Sequence, residues 1–240
     1  MLGLRSHLRR LPDVNASLLR RNLDQCLESY RPPFGLRARR GEKAGEARVR
    51  VIQTKGGEVY IAIEPLKPLP REVYEEGVRV ETTEIERVSP RTKSTAFIGQ
   101  SDKERQNIAQ KGIFEALLVK NGRILEGMTS NFFYVLPLAS TTLRSAQRVL
   151  CTAQRDVLLG VTRRTVIRMA RGRGVEVRFS PLKLDQISAV SEAFITSSSR
   201  GIVPVVQIDE VKIGVGRVGE LTRQLSAAYE AYVMRKAERI

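Results

Sequence analysis

Residues 124–136 read ILEGMTSNFFYVL, two apolar flanks around a polar centre. The apolar residues at 124–125 and 132–136 predict buried β-strands on both sides. The centre, EGMTSN, brings the carboxylate of Glu126 and the amide of Asn131 next to those strands. A buried carboxylate without a partner costs several kcal/mol. Glu126 therefore needs a cationic partner, either an arginine in a structural salt bridge or a protonated ring nitrogen.

The sequence around this stretch predicts an α+β fold. Two strands are expected within residues 113–127 about Asn121-Gly122, a pair favoured in two-residue hairpin turns. Because that pair already supplies a hairpin turn, we do not expect EGMTSN to form a second tight turn. Hydrophobic periodicity predicts further strands at 47–54, 58–66, 77–88 and within 189–208, and helices at 14–30, 102–112, 160–174 and 219–237. A change of character near 89–100 divides the chain into a smaller N-terminal domain, 1–92, and a larger C-terminal domain, 93–240.

The residue counts exclude several classes of catalyst. His7 is the only histidine among 240 residues, and Cys26 and Cys151 form no CxxC pair. Zinc sites and Ser-His-Asp or Cys-His catalysis are therefore not expected, and no metal site is predicted. The cysteine usage, together with the lack of a secretory signal or a membrane-spanning apolar run, predicts a cytoplasmic protein that does not bind a membrane.

The chain is strongly basic, with 41 Lys and Arg against 26 Asp and Glu and a net charge of +15. This charge is spread along the chain, the sequence contains no Trp, and no RNA- or DNA-binding motif is present. We interpret it as a solvated basic surface that helps anionic substrates to arrive. Nucleic-acid binding is kept only as a minor alternative.

Two further segments could bind an anion. LLGVTRRT at 158–165 combines a Gly-Val-Thr turn with the start of a helix, whose free N–H groups and hydroxyl suit a phosphate. The alternative there is an ordinary helix N-cap by Thr162. EAFITSSSRG at 192–201 places four hydroxyl residues between apolar runs, either as an anion-binding turn or as an exposed loop.

Taken together, EGMTSNFFYV, LLGVTRR and EAFITSSSRGIVPV resemble the class IV aminotransferases, the fold-type IV pyridoxal-phosphate enzymes. This family includes branched-chain and D-amino-acid aminotransferases and aminodeoxychorismate lyase. Its pattern is a Glu, an Asn-aromatic pair, a Gly-(Ile/Val)-Thr-Arg turn and a Thr/Ser-rich turn ending in Pro-Val. The resemblance extends over roughly residues 7–232 and implies a two-domain α+β fold, pyridoxal 5'-phosphate as cofactor and a homodimer.

The resemblance also implies roles for particular residues. Glu126 would face the pyridine nitrogen and keep it protonated. HLRRL at 7–11 is similar to the family's His-Leu-x-Arg-Leu stretch, so Arg10 is a candidate phosphate ligand; the alternative is one more surface charge. The other expected cofactor-binding residues are Val161, Thr162, Ser197 and Ser198.

The Schiff-base lysine of this family would lie upstream of Glu126. Of four candidates, Lys103, Lys111 and Lys120 are expected to be solvated, on a polar helix or beside a hairpin tip. Lys93 precedes Glu126 by 33 residues, a spacing that suits the family and especially its lyase branch. We therefore expect Lys93 to be the catalytic lysine, buried and with a lowered pKa.

The predicted function is that of an aminotransferase moving an amino group between an amino acid and a 2-oxo acid through Lys93. One alternative is aminodeoxychorismate lyase activity, which releases pyruvate and 4-aminobenzoate. A second is a non-catalytic basic relative that binds anions or nucleic acid. Two departures from the family pattern concern the substrate: the N-terminal part is expected to lack the family's first strands, and Phe97 and Ile98 occupy the region where some relatives carry a tyrosine.

Overall fold

The computed structural model describes residues 7, 11, 14–30, 47–88, 90–93, 96–137 and 148–236. The chain divides into two units. The first holds the described residues up to Leu69 and those from Val233 onward, and the second is Pro70–Tyr232. This division falls earlier than the sequence-based boundary after residue 92. The reason is that the strand at 78–83 pairs within the sheet of the second unit.

The first unit contains one helix and one hairpin. Helix α1 is Ala16–Ser29, and strands β1, Ala47–Gln53, and β2, Val59–Pro65, pair antiparallel. The Asn15 side chain accepts hydrogen bonds from two N–H groups of the first turn of α1, as its predicted capping role requires. Leu19 and Leu23 of α1 are buried and pack against alternate residues of the hairpin.

The second unit is built around a ten-stranded sheet. Its strands are β3 Val78–Thr83, β4 Glu115–Lys120, β5 Arg123–Gly127, β6 Asn131–Pro137, β7 Arg148–Thr152, β8 Glu176–Phe179, β9 Leu182–Lys183, β10 Glu192–Ser197, β11 Gly201–Ile208 and β12 Val211–Lys212. Its helices are α2 Arg71–Glu75, α3 Ala96–Gln110, α4 Val161–Arg171 and α5, which begins at Glu220 and continues to Lys236. A 3₁₀-helix covers Leu184–Ala189.

Six of these strands form a closed ring of pairings. The order along the sheet is β8-β7-β6-β10-β11-β3-β4-β5-β9, and β5 also pairs with β6. The closing contact joins Glu126 to Asn131. Asn131 in turn lies opposite Thr196 of β10, and Glu126 lies opposite Leu118 of β4. Since directly opposite residues of antiparallel strands point to the same face, these four side chains form one row across the sheet.

The stretch EGMTSN is a tight turn, contrary to the sequence-based expectation. The N–H of Gly127 donates to the carbonyl oxygen of Ser130 at 2.9 Å. Asn121 and Gly122 do form the predicted turn between β4 and β5, both with positive φ (52° and 68°). A second turn is needed because β6 runs back along β5 to close the ring.

The apolar runs predicted as strands are the core of the second unit. Phe132 and Phe133 of β6 are almost completely buried, and the ring of Phe133 stacks on Phe194 of β10 with centroids 4.9 Å apart. Val166 and Ala170 of α4 are fully buried. Within the described parts of the chain, no helix has the length and apolar character needed to span a membrane.

Candidate active site

Glu126 lies at the end of β5, where the strand ring closes, and is 2 % exposed. Its Oε1 accepts a hydrogen bond from Nε of Arg87 at 3.0 Å. Its Oε2 accepts from the N–H of Leu158 at 2.9 Å and from Nδ2 of Asn131 at 3.2 Å. Three donors from three separate segments therefore converge on one buried carboxylate.

Burial raises the pKa of Glu126 to about 7, although the Arg87 guanidinium and the Leu158 N–H favour the ionised form and lower it. The carboxylate of Glu115 adds a smaller effect that raises the pKa. Near neutral pH, Glu126 therefore stands between its protonated and ionised states. A further cation placed against it would hold it ionised.

Arg87 follows β3 and is the cationic partner that the sequence required of Glu126. Its Nη2 donates to the carbonyl oxygen of Met128 at 2.8 Å, and its guanidinium lies 4.0 Å from the ring centroid of Phe97. The sequence analysis did not identify this residue among the many arginines. A carboxylate oxygen accepts two hydrogen bonds, so Oε1 of Glu126 can still accept from another donor besides Arg87.

Asn131 connects Glu126 to the loop that leads into α4. Its Nδ2 donates both to Glu126 and, at 2.6 Å, to the carbonyl oxygen of Leu158. A Cβ atom at Gly160 would collide with Oδ1 of Asn131. Glycine at position 160 thus lets the chain pass close enough to the asparagine for α4 to begin beside Glu126.

Helix α4 begins at Val161, and its N-cap is Gly160, which has no side chain to cap the helix. The alternative in which Thr162 is the N-cap is therefore wrong. The Thr162 hydroxyl instead lies 3.3 Å from the hydroxyl of Tyr229 in α5. The first N–H groups of a helix have no intrahelical acceptor, so this start can present them to an anion.

The hydroxyl-rich turn joins β10 to β11. Thr196 is buried, Ser197 is partly buried, and Ser198 is exposed at the turn itself. A Cβ at Gly201 would lie 3.4 Å from Cε1 of Tyr229, so the Tyr229 ring also contacts this turn. Tyr229 therefore brings together the two segments that the sequence analysis singled out for anion binding.

Two buried hydroxyls lie on either side of Asn131. Ser130 Oγ precedes it in the chain, and Thr196 Oγ1 belongs to the residue opposite it on β10. Within the described residues, neither atom has a hydrogen-bond partner. Buried polar atoms in this condition mark a place where a polar group can bind.

Arg163 is a buried residue of this region that the sequence analysis passed over, although it belongs to the GVTRR segment. Its Nη2 donates to the carbonyl oxygen of Ala153 at 2.7 Å and to Oε1 of Gln154 at 2.8 Å. Burial lowers its pKa to about 10, against the opposing effect of Glu126. The guanidinium adds positive charge behind the start of α4.

The four candidate lysines differ less than expected. Lys93 lies between β3 and α3, and its side chain is exposed, so the expectation that it is buried is wrong. It is exposed because it lies on the connection outside the sheet. The prediction that the other three are solvated is confirmed: Lys103 is exposed, Lys111 pairs with Glu81 at 2.7 Å, and Lys120 pairs with Glu86 at 3.5 Å. The assignment of Lys93 stays a prediction, and Arg10 lies outside the described residues.

Comparison with known proteins gives one consistent family. The family model for "Amino-transferase class IV" matches residues 4–208. A branched-chain-amino-acid aminotransferase of Escherichia coli is 28% identical over 174 residues, covering 67% of this chain and 52% of the relative. A D-alanine aminotransferase of Bacillus licheniformis is 27% identical over 132 residues, covering 54% of this chain and 43% of the relative.

Solved structures agree with these relatives. The branched-chain aminotransferase of Thermoproteus uzoniensis with norvaline superposes with a TM-score of 0.74 at 21% identity, over 99% of this chain and 81% of that one. A T.th. branched-chain amino acid aminotransferase with pyridoxamine 5'-phosphate has a TM-score of 0.65 at 26% identity, over 76% and 59%. The matched segment spans about half the length of the two curated relatives named above. Because the family model covers most of the sequence, this chain belongs to the class IV aminotransferase family.

Proposed function

We propose that the chain is a pyridoxal-phosphate-dependent aminotransferase that moves an amino group between an amino acid and a 2-oxo acid. The observation that carries the proposal is Glu126. It is a buried carboxylate with a pKa of about 7, held by Arg87, Asn131 and Leu158 at the point where the sheet closes. Such a group is suited to hold a proton on the ring nitrogen of a bound pyridine.

The residues present fit pyridoxal 5'-phosphate. Oε1 of Glu126 can accept one more hydrogen bond, as a pyridinium N–H requires. The unpaired hydroxyls of Ser130 and Thr196 suit the polar substituents of such a ring. The uncapped start of α4 suits a phosphate. When bound, the cofactor supplies an electron sink that makes the Cα–H bond of an amino acid labile.

Each candidate residue then has a defined task. Glu126 keeps the ring nitrogen protonated, and Arg87 holds the carboxylate in place. The N–H groups and hydroxyl at Val161 and Thr162 bind the phosphate together with the hydroxyls of Ser197 and Ser198. Lys93 is proposed as the lysine that bonds to the cofactor and moves the proton of the substrate. Because its side chain is exposed, this role requires the 90–93 segment to turn the amine inward when the cofactor binds.

The relatives favour transamination over the lyase alternative. Those compared above are named as branched-chain-amino-acid and D-alanine aminotransferases, although the Lys93-to-Glu126 spacing suited the lyase branch. This also weakens the alternative of a non-catalytic anion- or nucleic-acid-binding relative. We extend the proposal to aliphatic amino acids as donors, a homodimeric assembly and a cytoplasmic location.

The test combines cofactor trapping with an amino-transfer assay. The purified chain is incubated with pyridoxal 5'-phosphate and borohydride, and the modified lysine is identified by peptide mass mapping. We expect modification at Lys93 and its loss in Lys93→Ala, whereas Lys103→Ala serves as the matched control and keeps it. A separate assay offers L-leucine, L-valine or D-alanine with 2-oxoglutarate. Trapping at Lys103, Lys111 or Lys120 would refute the Lys93 assignment, and no saturable cofactor binding would refute the proposed function.

A further inference from the structure

A second buried carboxylate, Glu115, lies next to the candidate site and has no part in the function proposed above. It begins β4 and is 3 % exposed. Its Oε1 accepts from the N–H of Thr129 at 2.6 Å and from the Thr129 hydroxyl at 3.0 Å. A Cβ at Gly127 would collide with the Ser130 hydroxyl and approach Oε1 of Glu115 within 2.7 Å. Glu115 therefore holds the turn that follows Glu126 tightly against β4.

Arg200 reaches this carboxylate from the hydroxyl-rich turn. Its Nη2 lies 3.0 Å from Oε2 of Glu115 and donates to the Thr129 hydroxyl at 2.5 Å. Its Nε donates to the Ser197 hydroxyl at 3.1 Å. The contact with Glu115 is an ion pair whose angle falls outside hydrogen-bond geometry, because Oε2 is counted among the buried atoms without a hydrogen bond. The side chain of Arg200 is 20 % exposed, so these contacts are shielded from water.

Two more contacts fix the rest of Arg200. The guanidinium lies 5.3 Å from the ring centroid of Phe114, and the backbone carbonyl oxygen accepts a hydrogen bond from Tyr74 of α2 at 3.0 Å. Both ends of the residue are thereby held. The turn that carries Ser197 and Ser198 is joined to the turn that follows Glu126 through one planar side chain.

We propose that Arg200 is a positioning residue: together with Glu115 and Thr129, it sets the distance between the serine turn and Glu126. This inference rests on the proposed function, in which the serine turn receives the phosphate of the cofactor and Glu126 receives its ring nitrogen. Arg200 touches neither group in this role. It determines whether the two ends of one rigid ligand find their partners at the same time.

The chemistry of arginine explains why this position needs that residue. The guanidinium is planar and presents several donors in a fixed arrangement, so Nε and Nη2 can serve Ser197 and Thr129 together. A lysine keeps the charge and can still pair with Glu115, but its single ammonium cannot hold both hydroxyls in the same geometry. Arg200→Lys therefore separates positioning from charge neutralisation.

The experiment compares pyridoxal 5'-phosphate with pyridoxal, which has the same ring and no phosphate. Equilibrium dialysis measures the affinity of the wild type and of Arg200→Lys for each ligand. We expect the variant to bind pyridoxal 5'-phosphate about 10- to 100-fold more weakly, the loss that corresponds to one or two charge-assisted hydrogen bonds, and to bind pyridoxal unchanged. Arg178→Lys is the matched control, since Arg178 forms an exposed ion pair with Glu176 at 2.6 Å.

A double variant separates positioning from charge compensation. Arg200→Met with Glu115→Gln removes both charges, so no unpaired carboxylate stays buried. We expect its affinity for pyridoxal 5'-phosphate to stay low, because the link between the turns is still absent. Recovery of wild-type affinity would overturn the inference, as would equal losses for both ligands in Arg200→Lys or no loss at all. A wild-type chain that binds no pyridoxal 5'-phosphate would instead refute the proposed function, and the inference with it.

Discussion

At the scale of single residues, the ionisation of Glu126 links the site to the stability of the protein. Its pKa is about 7 in the folded chain, against an ordinary value of 4.5. The folded state therefore holds the proton more tightly than the unfolded state does. Without a bound cation, the stability that this group contributes is fully present at low pH and is lost as the pH rises from about 4.5 to above 7.

This gives a first prediction for the cofactor-free protein. Between pH 5 and pH 8, Glu126 should lower the free energy of unfolding by about 2 to 3 kcal/mol. Glu126→Gln cannot ionise and should lack this loss, although its amide lowers stability at every pH by facing the donors of Asn131 and Leu158. Urea unfolding of both proteins at the two pH values measures the difference. Equal pH dependence in the variant and the wild type would mean that the pKa of Glu126 is not raised.

The sequence could predict that Glu126 needs a cation, but not which one. The requirement follows from the cost of burying a charge and from the apolar residues on both sides of it. Arg87 lies 39 residues earlier in the chain, and only the pairing of β3 with β4 and of β4 with β5 brings it to the carboxylate. Contacts of that range are set by the sheet and leave no local signal.

At the scale of elements, local turn chemistry was predictable and ring closure was not. Asn121-Gly122 favours its turn through two positive φ values, which are properties of the pair itself. The turn at 127–130 has no comparable signal, because it forms where β6 must meet β5. The start of α4 shows the same limit. The GVT segment indicated a helix start, but the choice of Gly160 as N-cap depends on Asn131, a residue of another strand.

The close approach at Gly160 gives a second prediction. In Gly160→Ala, the added Cβ collides with the Asn131 side chain and displaces the start of α4, so we expect a loss of about 1 to 3 kcal/mol in the free energy of unfolding. Gly99→Ala is the matched control. Gly99 lies in α3 with no atom within 4 Å of its added Cβ, so alanine should stabilise that helix by up to about 1 kcal/mol. Urea unfolding measures both, and similar effects at the two positions would contradict the packing argument.

Tyr229 gives a third prediction, because α5 uses it to join α4 to the hydroxyl-rich turn. Tyr229→Phe keeps the ring against Gly201 and removes only the hydroxyl contact with Thr162. We expect a loss of about 1 kcal/mol in stability and weaker binding of pyridoxal 5'-phosphate, with pyridoxal binding unchanged. Urea unfolding and equilibrium dialysis measure the two effects. A variant that loses stability without losing affinity would show that Thr162 does not depend on Tyr229 for its placement.

At the scale of the whole molecule, the sequence indicated two domains and placed the division too late. The change of character near 89–100 is real in the sequence, since it coincides with the connection from β3 to α3. The second unit nevertheless begins at Pro70, because β3 pairs in parallel with both β4 and β11. Parallel partners are distant in sequence by necessity, so a boundary judged from local composition misses a strand that belongs to the later unit.

The last prediction concerns assembly. The apolar runs at 113–119 and 131–136 suggested an interface as well as a core, but residues 115–119 and 131–135 are buried within the single chain. They therefore give no support to a dimer. Val88 does, because it is 88 % exposed directly beside Arg87, the partner of Glu126, and leaves apolar surface uncovered next to the site. With two-fold homodimers the commonest oligomers, we expect light scattering in moderate salt to give twice the chain mass of 26.9 kDa. Val88→Lys should shift that mass towards the monomer, and a monomeric wild type that binds pyridoxal 5'-phosphate would mean that one chain completes the site.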